Sequence, residues 1–303
     1  STPIKSSAAS DVYKRQMVCY AITCFVPMWF ALLMGAKYLA QQLPACHTAL
    51  YYPLCMAVMV LWPMFLWPAT HGMPDAFGLT FAAVIALLCA DYRFETLPWP
   101  RLLAIFAATF ALILTRRWYM FWILAFYAVY VLAVLVGAVR RKTLGSTLKH
   151  MLLFGVPSAV IIVGALLPTF KTILTTDYAD IYGAYYGGGF GNNCLGQLRT
   201  QGLIWLVLCA AGLVWLLYCR STRAQAIVAA AASLGAMVLF TRTQSLGDHQ
   251  SLILAPFYLL MLFGLCAKLT QQKAKPWLRN AAAGVLAVFL VVNFGNALRL
   301  PGK

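Results

Sequence analysis

Apolar runs, one after another, leave this chain little choice of surroundings. Ten of them follow along the sequence, at 17–35, 50–67, 77–90, 102–115, 118–138, 152–167, 203–219, 227–240, 252–267 and 281–298. A bilayer core about 30 Å thick takes roughly 20 helical residues. Within it only helices and closed barrels satisfy their own backbone groups. Several runs fall short of that length, and Trp99, Trp118, Tyr119, Trp205 and Tyr218 extend them into the interface. Charged residues make up 10% of the 303, against about 25% in a soluble domain. The sequence therefore predicts an all-α, polytopic transmembrane helix bundle of about ten spans, with one longer outer loop at 169–200. Soluble enzymes, disordered chains and disulfide-stapled secreted modules are excluded. Residues 1–16 (STPIKSSAASDVYKRQ) lack an apolar signal core and read as a non-native leader. Residues 17–303 form a single transmembrane domain.

The net charge of +16 does not point to nucleic acid, because the basic residues sit in short clusters between apolar runs. That placement marks cytoplasmic loops. Arg140, Arg141, Lys142 and Lys149 form one cluster, Arg220 and Arg223 a second, and Lys268, Lys273, Lys275 and Arg279 a third. Single crossings between them put all three on the cytoplasmic side and loops 169–200 and 241–251 outside. The N-terminal half depends on one hairpin. If 102–115 and 118–138 form it, Arg116 and Arg117 lie at its outer tip, 67–76 faces outward and 91–101 inward. If 102–115 does not span, everything before it changes sides. The nine cysteines lie mostly in apolar runs and read as small buried hydrophobes, not a disulfide framework. No Cys/His metal spacing occurs; no cofactor is identified, and a divalent ion is left open.

Acidic residues number seven, and on the hairpin topology Asp75, Asp177, Asp180 and Asp248 reach the outer face. His71, His249, Arg116, Arg117, Arg199 and Arg242 join them there. Two outer arginines oppose the positive-inside bias, and guanidinium pairs bidentately with phosphate. Trp118 and Tyr119 beside them fix interface depth and offer a ring face to a sugar or lipid. The plain alternative is two cytoplasmic arginines under the other topology. In TRTQSLGDHQ (241–250), Asp248 orients the imidazole of His249 and Arg242 meets an anion; the alternative is a solvated turn. His71 precedes Gly-Met-Pro-Asp75. Asp75 suits a helix first turn, where the macrodipole favours a carboxylate, and its chemical reading is a substrate ligand or catalytic carboxylate. Loop 169–200 carries Asp177, Tyr178, Asp180, Tyr182, Tyr185, Tyr186, Asn192 and Asn193. That mixture suits a carbohydrate surface or an interfacial aromatic loop, and its glycines (187–189 and 191) suit a hinge or lid. No P-loop, GxSxG or HExxH motif occurs.

The many-span layout, GMPDAFGL (72–79), RRWYMFW (116–122) and TRTQSLGDHQ (241–250) together resemble the GT-C class of integral-membrane glycosyltransferases. The likeness is to bacterial protein O-mannosyltransferase and aminoarabinose-transferase relatives (family 39-like), over about 50–267. The resemblance implies transfer of a sugar from a polyprenyl-phosphate donor to an acceptor glycan, lipid or protein at the outer face of a bacterial cytoplasmic membrane. It implies that Arg116, Arg117 and Arg242 hold the donor phosphate. His71, Tyr119, Asp177, Tyr178, Asp180, Asp248 and His249 would line the pocket, and Asp75 would be the catalytic carboxylate. Such enzymes carry an acidic residue in the loop after their first span, whereas 36–50 (AKYLAQQLPACHTAL) has none. The expectation is therefore an N-terminally truncated chain in which 17–35 is a later helix. The rival readings are a transporter or flippase of lipid-linked glycan, and a non-catalytic scaffold. Transporters place ionisable groups near the bilayer centre, and here the charges lie at span ends.

Overall fold

A computed structural model of the chain describes residues 7–62, 75–116, 118–176, 189–241, 246 and 250–299. Among these residues every regular element is helical, apart from an isolated bridge between Cys46 and Gln271. In chain order the helices are α1 Ser7–Gln42, α2 Thr48–Leu61, α3 Asp75–Leu88, α4 Trp99–Thr115, α5 Tyr119–Arg141, α6 Leu144–His150 and α7 Val156–Ala165. They continue with α8 Leu167–Thr175, α9 Phe190–Gln201, α10 Leu203–Tyr218, α11 Arg223–Phe240, α12 Ala255–Leu269 and α13 Pro276–Arg299. A π turn, Met151–Gly155, joins α6 to α7. It precedes Pro157, which has no N–H to offer the carbonyl of Leu153.

Among the described residues six helical stretches have the length and apolarity to cross a membrane: Val18–Gln42, Tyr119–Arg141, Leu144–Ala165, Arg223–Phe240, Gln250–Leu269 and Pro276–Gly295. Helices α9 and α10 meet at a bend of 102° and make a seventh if counted as one broken span. Helices α2, α3 and α4 have 14, 14 and 17 residues. At 1.5 Å per residue they cover about 21–26 Å, less than a hydrocarbon core. The expected apolar runs are helical over most of their described residues, and six or seven helices among the described residues have the length of a full span, where ten spans are expected. Residues 7–16, expected as a leader, are helical and continuous with α1.

Helix α12 is the centre of the bundle. It is apolar all round, and most of its side chains from Ala255 to Ala267 are buried, as in a helix packed on all sides. Helix α11 buries Ala226, Ala229, Ala232, Ser233, Ala236, Met237 and Phe240, a stripe at helical spacing that lies along α5. The second small-residue stretch, 281–287, behaves differently. Only Ala283 and Leu286 are buried, and Gly284 has open space where a Cβ would stand. Stretch Leu144–Ala165 is the least covered, its leucines and valines turned outward as on a lipid-facing helix. All nine cysteines are free, and Cys19 and Cys194 are exposed rather than buried.

Cross-links between helix ends define two rims. Tyr38 donates to Asp91 (3.1 Å), Arg101 pairs with Asp91 (2.5 Å), and Gln225 donates to the carbonyl of Ala90 (3.2 Å). Ser221 donates to the carbonyl of Gln42, and the backbone N–H of His47 to that of Thr270 (2.7 Å). Arg141 pairs with Glu95 (3.0 Å). All three expected basic clusters thus gather at one rim. The opposite rim holds Asp75, Arg116, Trp118, Phe240, Trp62 and the segment Gln250–Leu254. Helices α4 and α5 therefore form the expected hairpin, with Arg116 at its tip.

At the basic rim Glu95 ties two connections together. Its Oε1 accepts from Arg141 (3.0 Å) and Thr143 (3.2 Å), and its Oε2 from Thr147 (3.1 Å). Burial pushes this carboxyl upward, but a backbone hydrogen bond, Arg141 and Thr147 together outweigh it and hold it below the ordinary carboxylate value. A folded value below the unfolded one (about 4.3) stabilises the protein fully above the unfolded value. That contribution fades as pH falls through the folded one. Thermal melts should show the wild type losing stability on acidification below about pH 4.3. In Glu95→Gln this slope should flatten, at a cost of about 1–2 kcal/mol near neutrality. An unchanged slope in Glu95→Gln would refute the role assigned to the carboxylate.

Candidate functional site

Asp75 opens α3 in its first turn, where backbone N–H groups and the helix dipole favour a carboxylate. It is 1% exposed. Arg116 follows the last residue of α4 with extended backbone (φ −159°, ψ 129°), so the chain leaves the helix and the side chain reaches α3. Its Nε and Nη2 both donate to Oδ2 of Asp75, at 3.2 and 3.0 Å. The Arg116 side chain is 30% exposed. The pair therefore joins a buried carboxylate to a partly exposed arginine side chain.

Tyr119 begins α5 and completes the corner. Its hydroxyl donates to the backbone carbonyl of Asp75 at 2.7 Å, and it is fully buried. The ring packs against Gly78: a Cβ added there would stand 2.8 Å from Cδ2 of Tyr119 and closer still to Cε2. The glycine three residues after Asp75 is thus what admits the ring. Tyr20 of α1 lies within electrostatic reach of Asp75 and Arg116. Among the described residues the three ion pairs join helix ends and connections; besides Asp75, the buried polar side chains within α3, α4 and α11 are Thr80, Thr109 and Ser233.

A second group borders the same rim. Gly202 (φ +80°, ψ 152°) turns the chain between α9 and α10, a conformation that favours glycine. Helix α9 is thereby laid across the helix ends, with Asn193, Gln197 and Gln201 buried on one stripe. Gln201 Oε1 accepts from the indole N–H of Trp62 (2.9 Å), and Asn193 Oδ1 from the backbone N–H of Leu246 (2.8 Å). Gln197 donates to Ser251 (2.6 Å). Four amide atoms in this seam have no hydrogen-bond partner: Asn193 Nδ2, Gln197 Oε1, Gln201 Nε2 and Gln250 Oε1. Each unpaired buried group costs about 1–3 kcal/mol.

Of the residues expected at the site, Asp75, Arg116 and Tyr119 come together. His71, Arg117, Asp177, Tyr178, Asp180, Arg242, Asp248 and His249 lie outside the described residues. The described neighbours of 242–249 stand at this rim: Phe240 packs on Trp118 with ring centroids 5.6 Å apart, and Leu246 binds Asn193. Region 169–200, expected as a loop, contains α8 and α9, and Gly191 lies inside α9 rather than in a hinge. The sequence reading missed the amide stripe. Its signal was the spacing of Asn193, Gln197 and Gln201, four residues apart each time. No His, Cys, Asp and Glu group among the described residues is arranged to hold a metal ion. No known protein family, curated protein or solved structure matches the chain.

Proposed function

We propose that this protein transfers a sugar from a polyprenyl-phosphate donor to an acceptor at the rim opposite the basic clusters, the non-cytoplasmic side by the positive-inside rule. The observation that carries the reading is the Asp75–Arg116 pair. At the rim away from the basic clusters, a guanidinium is held by a buried carboxylate, and its side chain is 30% exposed. In this reading Arg116 binds the donor phosphate and stabilises the charge that develops as it leaves. The acceptor hydroxyl attacks the anomeric carbon, the bond from that carbon to the phosphate oxygen breaks, and polyprenyl phosphate departs. Asp75 takes the hydroxyl proton once the phosphate draws the guanidinium from Oδ2. Arg117 and Arg242 are proposed as further phosphate ligands. His71, Tyr119, Asp177, Tyr178, Asp180, Asp248 and His249 are proposed as pocket residues. The setting proposed is a bacterial cytoplasmic membrane. The position of the described ion pairs at helix ends and connections favours rim chemistry over a transport path through the bilayer centre.

The test is turnover of polyprenyl-phosphate sugars by protein reconstituted in nanodiscs. Arg116→Ala should lower transfer or donor hydrolysis by about 100-fold or more, the scale of losing one transition-state donor. Asp75→Asn should lower turnover while leaving donor binding in place. Wild-type counter-flow of intact lipid-linked sugar without chemistry would replace the proposal with the flippase reading. Unchanged turnover in Arg116→Ala would remove the phosphate assignment.

A further inference from the structure

We infer that the buried amide seam between α9, the tip of α2 and Gln250–Leu254 is a recognition site for an uncharged polyhydroxylated ring, of the class of a hexose or pentose. The inference deepens the proposed function, on which it rests for the identity of the sugar's carrier.

Two of the amides have their orientation fixed. Gln201 accepts from an indole N–H through Oε1, and Asn193 accepts from a backbone N–H through Oδ1. Each therefore presents its NH2 end as the unpaired donor. Between them on the stripe, Gln197 donates through Nε2 to Ser251 and leaves Oε1 as an unpaired acceptor. Gln250, next to Ser251, leaves Oε1 unpaired as well. All four side chains are more than nine-tenths buried. Donor, acceptor and donor thus follow one another along α9 at one-turn intervals of about 6 Å.

Sugar hydroxyls fit this arrangement because each both donates and accepts. A ring carrying several of them satisfies alternating groups without any change of charge. The aromatic surround fits too. Trp62 and Trp205 stack at 5.5 Å beside Gln201, and the indole N–H of Trp205 is a further unpaired donor. No ionised side chain enters the described part of the seam; Arg199, the charged residue of α9, is exposed. A charged ligand would therefore be buried there without a counter-charge. The segment Gln250–Leu254 also packs against α3 and α5. It thereby links the seam to the helices that carry Asp75 and Tyr119.

The experiment uses the full chain in nanodiscs, free of glycoside detergents, and saturation-transfer NMR with methyl glycosides of mannose, glucose, galactose, N-acetylglucosamine and arabinose. At least one should receive saturation from the wild type. Gln201→Met should weaken it by about tenfold or more, the equivalent of one lost hydrogen bond. Should Gln201→Met fail to fold, Asn193→Leu and Gln250→Met bear the same test. Saturation of no glycoside by the wild type overturns the inference. So does saturation that survives the substitutions, since the seam is then filled by ordered water alone. A parallel arm with polyprenyl phosphate carrying no sugar separates the two readings. Arg116→Ala should lose that lipid and keep the glycoside, whereas Gln201→Met should lose the glycoside and keep the lipid. Glycoside binding that depends on the amides, with no polyprenyl-phosphate binding, supports the seam and rejects only the donor reading.

Discussion

Gly212→Val is expected to prevent recovery of a monodisperse folded protein, and Gly212→Ala to lower its stability by about 3 kcal/mol or more. Gly212 lies where α10 crosses α12. A Cβ there would overlap the carbonyl oxygen of Met261, stand 2.7 Å from its carbonyl carbon, and lie 3.2 Å from the backbone N of Leu265. All three atoms are backbone of the central helix, so no side-chain rotamer relieves the overlap. The helices would have to part, and α12 is enclosed on several sides by α1, α2, α3, α10, α11 and α13. Alanine is the better helix former by about 1 kcal/mol, which is smaller than the overpacking cost. Close approach at small residues is also what drives helix association where lipid removes the hydrophobic drive between helices. Thermal unfolding in detergent with size-exclusion chromatography checks this. A wild-type melt for Gly212→Ala would show that close backbone contact at Gly212 is not what sets the α10–α12 crossing.

What could be read ahead of the structure follows from which forces leave a trace along one chain. Arg140, Arg141, Arg220, Arg223 and Lys268 gather at one rim as expected, because positive charge avoids the bilayer whatever the packing. The α4–α5 hairpin was one of two open readings, because Arg116 between two apolar runs fits an outer tip and a cytoplasmic turn alike. Helix length was not legible, because hydropathy reports apolarity and not length: α2, α3 and α4 are apolar and have 14 to 17 residues. Helix α9 was read as loop because FGNNCLGQLRTQ has no apolar stripe; its buried face is made of amides, and a search for buried hydrophobic periodicity passes over it. The stretch 281–287 shows the converse. Small residues state that a close crossing is permitted, and which helix fills the space is settled elsewhere in the fold. Asp75 was legible as a helix-opening residue. Its pairing with Arg116 was not, since it depends on the ends of α3 and α4 meeting, 41 residues apart in sequence.

That pairing gives the second large expected effect, and it separates what Arg116 does for the fold from what it does for a ligand. Removing one partner of a buried ion pair costs about 3–5 kcal/mol, because the remaining charge is stranded. Arg116 is 30% exposed, so water screens part of the interaction and Arg116→Ala should cost about 2–3 kcal/mol. Almost all of that penalty belongs to the Asp75 carboxylate, which is 1% exposed. Neutralising it in the double variant Asp75→Asn, Arg116→Gln should therefore recover most of the loss, since two amides can still hydrogen-bond across the same gap. Denaturant or thermal unfolding in nanodiscs ranks the wild type, Arg116→Ala and the double variant. The double variant should lie above Arg116→Ala by about 1–2 kcal/mol; a double variant no better than the single would mean that the ion pair is not what Arg116 contributes to stability. The recovered fold then becomes the control that Arg116→Ala alone cannot supply. A double variant that melts like the wild type, and yet fails to bind polyprenyl phosphate, assigns the lost binding to the missing guanidinium rather than to a collapsed rim. Retained binding in that stable protein would place the phosphate on other groups and leave Asp75–Arg116 as a clasp between α3 and the α4–α5 hairpin.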